Sequence, residues 1–122
     1  ERFRADEEMR AFYSTPFPHT EAFDPPDWDE DEEIPPEWIT GSLIVVEYGC
    51  CAFYRIVLTG KAAGQVWYDD LPNNYGIHPG PDFHEWYMSW LETNYDRFVK
   101  GIGPAKEFLP LDPRDFLVPK RP

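Results

Sequence analysis

Cysteine is scarce in this chain. There are two in 122 residues, adjacent at Cys50 and Cys51, too few for a disulfide scaffold and pointing to a reducing compartment. Consecutive side chains of an extended segment point to opposite faces, so the pair can neither bridge without strain nor share a metal. Small buried apolar groups are the expected role of both. Basic residues are also few, 11 Lys+Arg against 23 Asp+Glu, for a net charge of −12. Nucleic-acid and anionic-membrane surfaces need a Lys or Arg at each phosphate, so both are poor partners for this chain. No apolar run approaches the roughly 20 residues that span a bilayer. The first residue is Glu1 rather than Met and no signal-peptide pattern follows, so the chain reads as trimmed or fragmentary.

Aromatic residues, by contrast, are plentiful at 17%, with 5 Trp in a chain that is 42% hydrophobic. That excludes wholesale disorder and fits a single domain over residues 1–122. Charge is distributed unevenly. Residues 1–40 hold 13 acids and 3 bases, net −10, and the remainder holds 10 acids and 8 bases, net −2. An acidic surface of this kind fits a basic protein partner.

Residues 3–13 carry a weak helical pattern in Ala5, Met9, Phe12 and Tyr13, ended by Pro16 and Pro18. Residues 15–36 contain six prolines around the acidic run Asp27-Trp28-Asp29-Glu30-Asp31-Glu32-Glu33. This density predicts a long irregular surface segment, pinned by Phe17, Phe23, Trp28, Ile34 and Trp38. Three strands follow at 42–48, 52–59 and 65–69, separated by short glycine-containing turns, which predicts an antiparallel meander. The first two are nearly all apolar and are expected at its centre, covered on both faces. Residues 70–81 read as a turn-rich loop. From about 82 to 99 the sequence predicts a helix. Asp82 and Glu85 form a D-x-x-E start, and Phe83, Trp86, Tyr87, Trp90 and Leu91, continued by Tyr95 and Phe98, form an aromatic stripe expected to cover one face of the sheet. Trp67 and either Trp86 or Trp90 are expected to be buried against each other's elements.

Several chemical constellations fail on spacing. Asp27, Asp29 and Asp31 alternate as in a calcium loop, but the glycine and bidentate glutamate such a loop needs are Glu32 and Trp38 here. His19, His78 and His84 lie in three segments with no metal-ligand spacing, so neither a metal nor another cofactor is expected. Asp69-Asp70 at a strand end read as turn formers. No G-x-S-x-G is present, and 60–64 lacks the GK[ST] of a phosphate loop. No catalytic residue emerges; the acidic residues Asp27, Asp29, Glu30, Asp31, Glu32 and Glu33 with Trp28 read either as a solvated loop or as a docking surface for a basic protein, and are the candidate partner-binding segment.

One arrangement is familiar as a whole. Tyr48-Gly49-Cys50 closes the first apolar strand; Ile56-Val57-Leu58-Thr59-Gly60 and Gly64-Gln65-Val66-Trp67 follow; Gly76-Ile77-His78-Pro79 precedes the helix Phe83-His84-Glu85-Trp86-Tyr87-Met88-Ser89-Trp90-Leu91. In order and spacing these resemble the SUKH superfamily, the Smi/Knr-like proteins, over about residues 41–100. Gly49, Cys50, Gly60, Gly64, Trp67, Trp86 and Trp90 would be its fold-defining positions. Cys51 stands where members often place a second glycine, and the family's upstream helices are absent. The resemblance implies an α+β fold, a twisted and mainly antiparallel sheet flanked by helices. For bacterial members it implies immunity proteins that bind and neutralise toxins, often nucleases. For eukaryotic members it implies regulatory scaffolds. It carries no catalytic residue.

Overall fold

A four-stranded antiparallel sheet with two helices makes the protein α+β. The computed structural model describes residues 2–25, 33–47, 49 and 51–101. Helix α1 spans Arg2–Ser14; the strands are β1 (Ser42–Glu47), β2 (Phe53–Val57), β3 (Gln65–Asp69) and β4 (Ile77–Asp82); helix α2 spans Phe83–Val99. Among the described residues there are also single 3-10 turns at Pro36–Trp38 and Leu71–Asn73. Strand order in the sheet is β1-β2-β3-β4, each strand paired with its sequence neighbour. The meander expected from the short turns is therefore present.

Two strand expectations need correction. Residues 77–82 are a strand and not part of a loop: β4 pairs with β3 through Trp67↔Pro79, Tyr68↔His78 and Asp69↔Ile77. Pro79, Gly80 and Pro81 hid it, because proline removes a ladder donor. The sheet tolerates them because β4 is an edge, where an outward N–H is not required. Gly80 serves a second purpose, since a Cβ there would stand 2.5 Å from the Val66 carbonyl oxygen, where the β3–β4 register shifts. In the same way β1 is the opposite edge and not a central strand, and Leu43 and Ile44 are exposed. Only β2 and β3 lie inside the sheet.

The two faces carry separate cores. On one, Trp67 and Val57 pack with Phe17, Ala62, Leu71 and Ile77, and with half-buried Phe23, Ile34, Trp38 and Ile39. Four of the five anchors expected for the 15–36 segment are thus in place; Trp28 lies outside the described residues. The chain enters this face by hydrogen bonds from Phe17 N–H to the Thr59 carbonyl (2.9 Å) and by a reciprocal pair between Phe23 and Ile77 (2.9 and 2.8 Å). Gly60 makes room for this entry, because with φ +113° its added Cβ would meet the Phe17 carbonyl oxygen at 3.0 Å. On the other face, Tyr54 and Val66 pack against Trp86 of α2. Trp67 and Trp86 therefore sit on opposite faces of the sheet, against the expectation that they would meet. Alternation explains it: Val66 and Trp67 are neighbours on one strand and must point apart.

Helix α2 begins as the D-x-x-E pattern predicts, with Asp82 Oδ1 accepting from the Glu85 amide at 2.8 Å. Trp86 is its one buried residue, and Trp90 is half-buried. The expected stripe does not stay on the sheet. At about 100° per residue the sheet-facing line through Phe83, Trp86 and Trp90 next reaches Asn94, while Tyr95 and Phe98 have rotated away. Helix α1 is exposed over most of its length, Met9 included, so its weak apolar pattern buries little. Its C-terminal end is fixed where the Gly41 amide donates to the Phe12 carbonyl at 2.8 Å.

Candidate functional site

Three features have the burial or concavity of a site: a buried ion pair, a half-buried histidine, and a groove between β1 and α2.

Arg55 is the only charged side chain within β2, and it is buried. In the β2–β3 register Phe53 faces Asp69 and Arg55 faces Trp67, so Arg55 and Asp69 are diagonal neighbours on the Trp67 face. Arg55 Nε donates to Asp69 Oδ2 at 2.7 Å and Nη1 to the Ser42 hydroxyl at 3.3 Å. The other oxygen of Asp69 accepts from the Leu71 amide at 3.1 Å, and Ser42 donates to the Ile39 carbonyl at 2.6 Å. Both Asp69 oxygens and the Ser42 hydroxyl find their partners inside the fold in this network. It ties β1, β2, β3 and the Leu71 turn together. Both aspartates fulfil the expected turn role, Asp69 through the Leu71 amide two residues on and Asp70 by accepting from the Asn73 side chain at 2.7 Å and, at its carbonyl, from the Asn73 and Tyr75 amides at 3.1 Å. The signal for the missed pair was a lone arginine in an apolar strand, two register positions from a strand-end aspartate.

His19 stacks on Phe23 with ring centroids 4.7 Å apart and meets Phe17 edge-on. Its Nε2 lies 2.7 Å from the Trp38 carbonyl and donates to it. Burial lowers its pKa below the ordinary 6.5, and the hydrogen bond to Trp38 opposes this only in part. The neutral ring is therefore the folded form. Stability from this site is fully present above the unfolded value of about 6.5. It falls as the pH drops toward the lowered folded value, because the unfolded chain takes up the proton first. The melting temperature should decline on acidification just below pH 6.5. In His19→Gln, whose amide can still donate to Trp38, that part of the decline should vanish. A parallel pH dependence in the two proteins would show that His19 does not contribute.

The groove is the most site-like concavity. A register shift between Ile44 and Val46 marks a bulge in β1, and it lets consecutive Val45 and Val46 both pack toward Tyr54, Val66 and Trp86. Bulges commonly re-aim side chains in this way. Phe83, Trp86, Tyr87 and Trp90 form the opposite wall, enclosing about 290 Å³. Phe83 stacks on Tyr87 at 5.8 Å and Tyr87 on Trp90 at 6.0 Å. The indole N–H of Trp86 is buried with no acceptor among the described residues. Leaving it so costs about 1–3 kcal/mol, offset by packing of the ring on Tyr54, 5.5 Å away. A hydrophobic trough with few polar groups suits capture of an apolar side chain.

The expected site residues fall as follows. Asp27, Trp28, Asp29, Glu30, Asp31, Glu32 and Cys50 lie outside the described residues. Glu33 is exposed. Gly49, Gly60 and Gly64 turn through positive φ. Cys51 is exposed rather than buried, and its φ of +62° is one that glycine adopts without cost. Trp86 and Trp90 share the groove, with Trp67 beneath the sheet. Among the described residues no three or more His, Cys, Asp or Glu side chains are grouped to hold a metal ion, and no helix is long and apolar enough to cross a membrane. No protein-family model, no curated protein and no solved structure matches the chain.

Proposed function

We propose that this chain is a stoichiometric protein-binding inhibitor, a cytoplasmic immunity protein that captures and neutralises a basic toxin, a nuclease by preference. The observation that carries the reading is an aromatic groove open at a sheet edge on a chain of net charge −12. The two properties have separate tasks. Negative charge speeds encounter with a basic surface and orients it, while a desolvated aromatic pocket supplies most of the affinity. A nuclease must present a basic cleft to its phosphate substrate, and the run from Asp27 to Glu33 can occupy such a cleft as a mimic. The resemblance in residues 41–100 favours the same class.

Binding kinetics against the toxin encoded beside this chain's gene test the proposal. Replacing Asp29, Asp31 and Glu33 by Asn, Asn and Gln should slow association several-fold at low salt and less at high salt, with melting unchanged. Trp90→Ala should instead raise the dissociation rate. Unchanged rates in the triple variant would return the acidic run to a solvated segment. A gene neighbourhood without a toxin would favour the alternative, a regulatory scaffold or interaction domain.

A further inference from the structure

The far half of α2 carries a second apolar line that the sheet does not use. Met88, Leu91, Tyr95 and Phe98 follow at intervals of three, four and three, the spacing of a coiled-coil seam. At 3.6 residues per turn this line lies about 120° around the axis from the groove face. All four are exposed, Met88 at 38%, Leu91 at 37%, Tyr95 at 71% and Phe98 at 78%, with adjoining Val99 at 64%. A contiguous patch of large apolar side chains marks an interaction surface, unlike apolar residues scattered singly.

We propose that α2 pairs through this seam with α2 of a second copy of the chain. Three observations favour a copy over another occupant. First, the repeat itself calls for a helix with the same repeat. The other helix, α1, is largely polar, whereas a second α2 presents the identical line and closes a two-fold dimer. Second, the area fits. With about 150–250 Å² for a large side chain, the exposed fractions leave roughly 450 Å² on the four seam residues and roughly 600 Å² once Val99 is included. Two copies together can remove up to about 1,200 Å², the lower limit of a specific interface. Third, the charges beside the seam balance. Glu92 and Asp96 are matched by Arg97 and Lys100, and Lys100 Nζ lies 2.8 Å from Asp96 Oδ2. This stretch of the helix is therefore near neutral in a chain of net charge −12, and two copies can meet here with the least repulsion. The groove to Trp86 and Trp90 stays free in such a dimer, so the inference does not depend on the proposed function.

Sedimentation equilibrium of the full chain over about 5–500 μM, the span in which an interface at the low end of the size range dissociates, is the test. The apparent mass should rise from 14.3 kDa toward twice that value. Association should tighten as salt is raised, because screening removes repulsion between two acidic copies while the seam is apolar. The paired substitution Tyr95→Glu, Phe98→Glu should weaken the dimer at least ~100-fold, since it places like charges in an apolar seam. Both side chains are exposed in the single chain, so circular dichroism should stay unchanged. Tyr75→Glu, at a tyrosine 68% exposed before β4, should have no effect. A monomer throughout the range overturns the proposal, whatever covers the seam instead. So does a dimer that survives the paired substitution or that salt dissociates.

Discussion

Trp67→Ala should lower the unfolding free energy by about 3–5 kcal/mol, the usual cost of truncating a buried large aromatic. Small domains hold only about 5–15 kcal/mol in all, so the variant should sit near the edge of folding at room temperature. Trp67 is fully buried in β3, its ring 5.0 Å from Phe17, and its indole N–H donates to the Gln65 side chain at 3.1 Å. Its removal takes away the surface on which the proline-rich segment is seated, so that segment should detach first. Trp90→Ala, at a half-buried residue of the groove wall, should cost distinctly less. Urea midpoints of the two variants provide the comparison, with near-ultraviolet dichroism as the readout of packing. Equal losses would mean that the sheet has no dominant core on its Phe17 face.

The Arg55–Asp69 pair is the second site of large effect. The two side chains are 8% and 1% exposed. Removing one partner of such a pair strands a charge in a dry interior, at a cost of about 3–5 kcal/mol. Arg55→Met should therefore destabilise strongly, and Asp69→Asn nearly as much. The double variant should be more stable than the sum of the singles allows, because no unpaired charge is left and the carboxamide oxygen that replaces the carboxylate can still accept from the Leu71 amide. A double-mutant cycle in urea measures the difference. Strict additivity would mean that the two groups do not sense each other across the strands.

Where local pattern and tertiary role coincide, this structure was legible in the sequence. The N-terminal cap of α2 is a short-range device and was visible as Asp82 with Glu85. The β2 and β3 cores were visible as β-branched and aromatic runs between glycines, and Phe17 and Phe23 as anchors in a segment too rich in proline to form its own elements. What escaped depends on position within the sheet. Leu43, Ile44, Val45 and Val46 look like a central strand because they are apolar, yet they stand at an edge, where two of them line a groove. The run Ile77-His78-Pro79-Gly80-Pro81 looks like a turn because its local chemistry is turn chemistry, and only the edge location makes it a strand. The groove could not be anticipated, since it needs a bulge that turns two consecutive valines to one side. Arg55 does carry a readable signal, since a charge in an apolar strand requires a partner.

The way Phe17 and Phe23 join the sheet bears on the order of folding. Every strand pair is formed by sequence neighbours, so the meander can assemble through short loop closures. The hydrogen bonds from Phe17 to Thr59 and between Phe23 and Ile77 instead join residues 42 and 54 positions apart. They must wait for the larger closure entropy to be overcome. Assembly should thus run at two tempos, a quick zippering of the central chain and a slower seating of Phe17 and Phe23 upon it. The amides of Phe17 and Phe23 should accordingly exchange with solvent through local opening while the strands beneath remain closed.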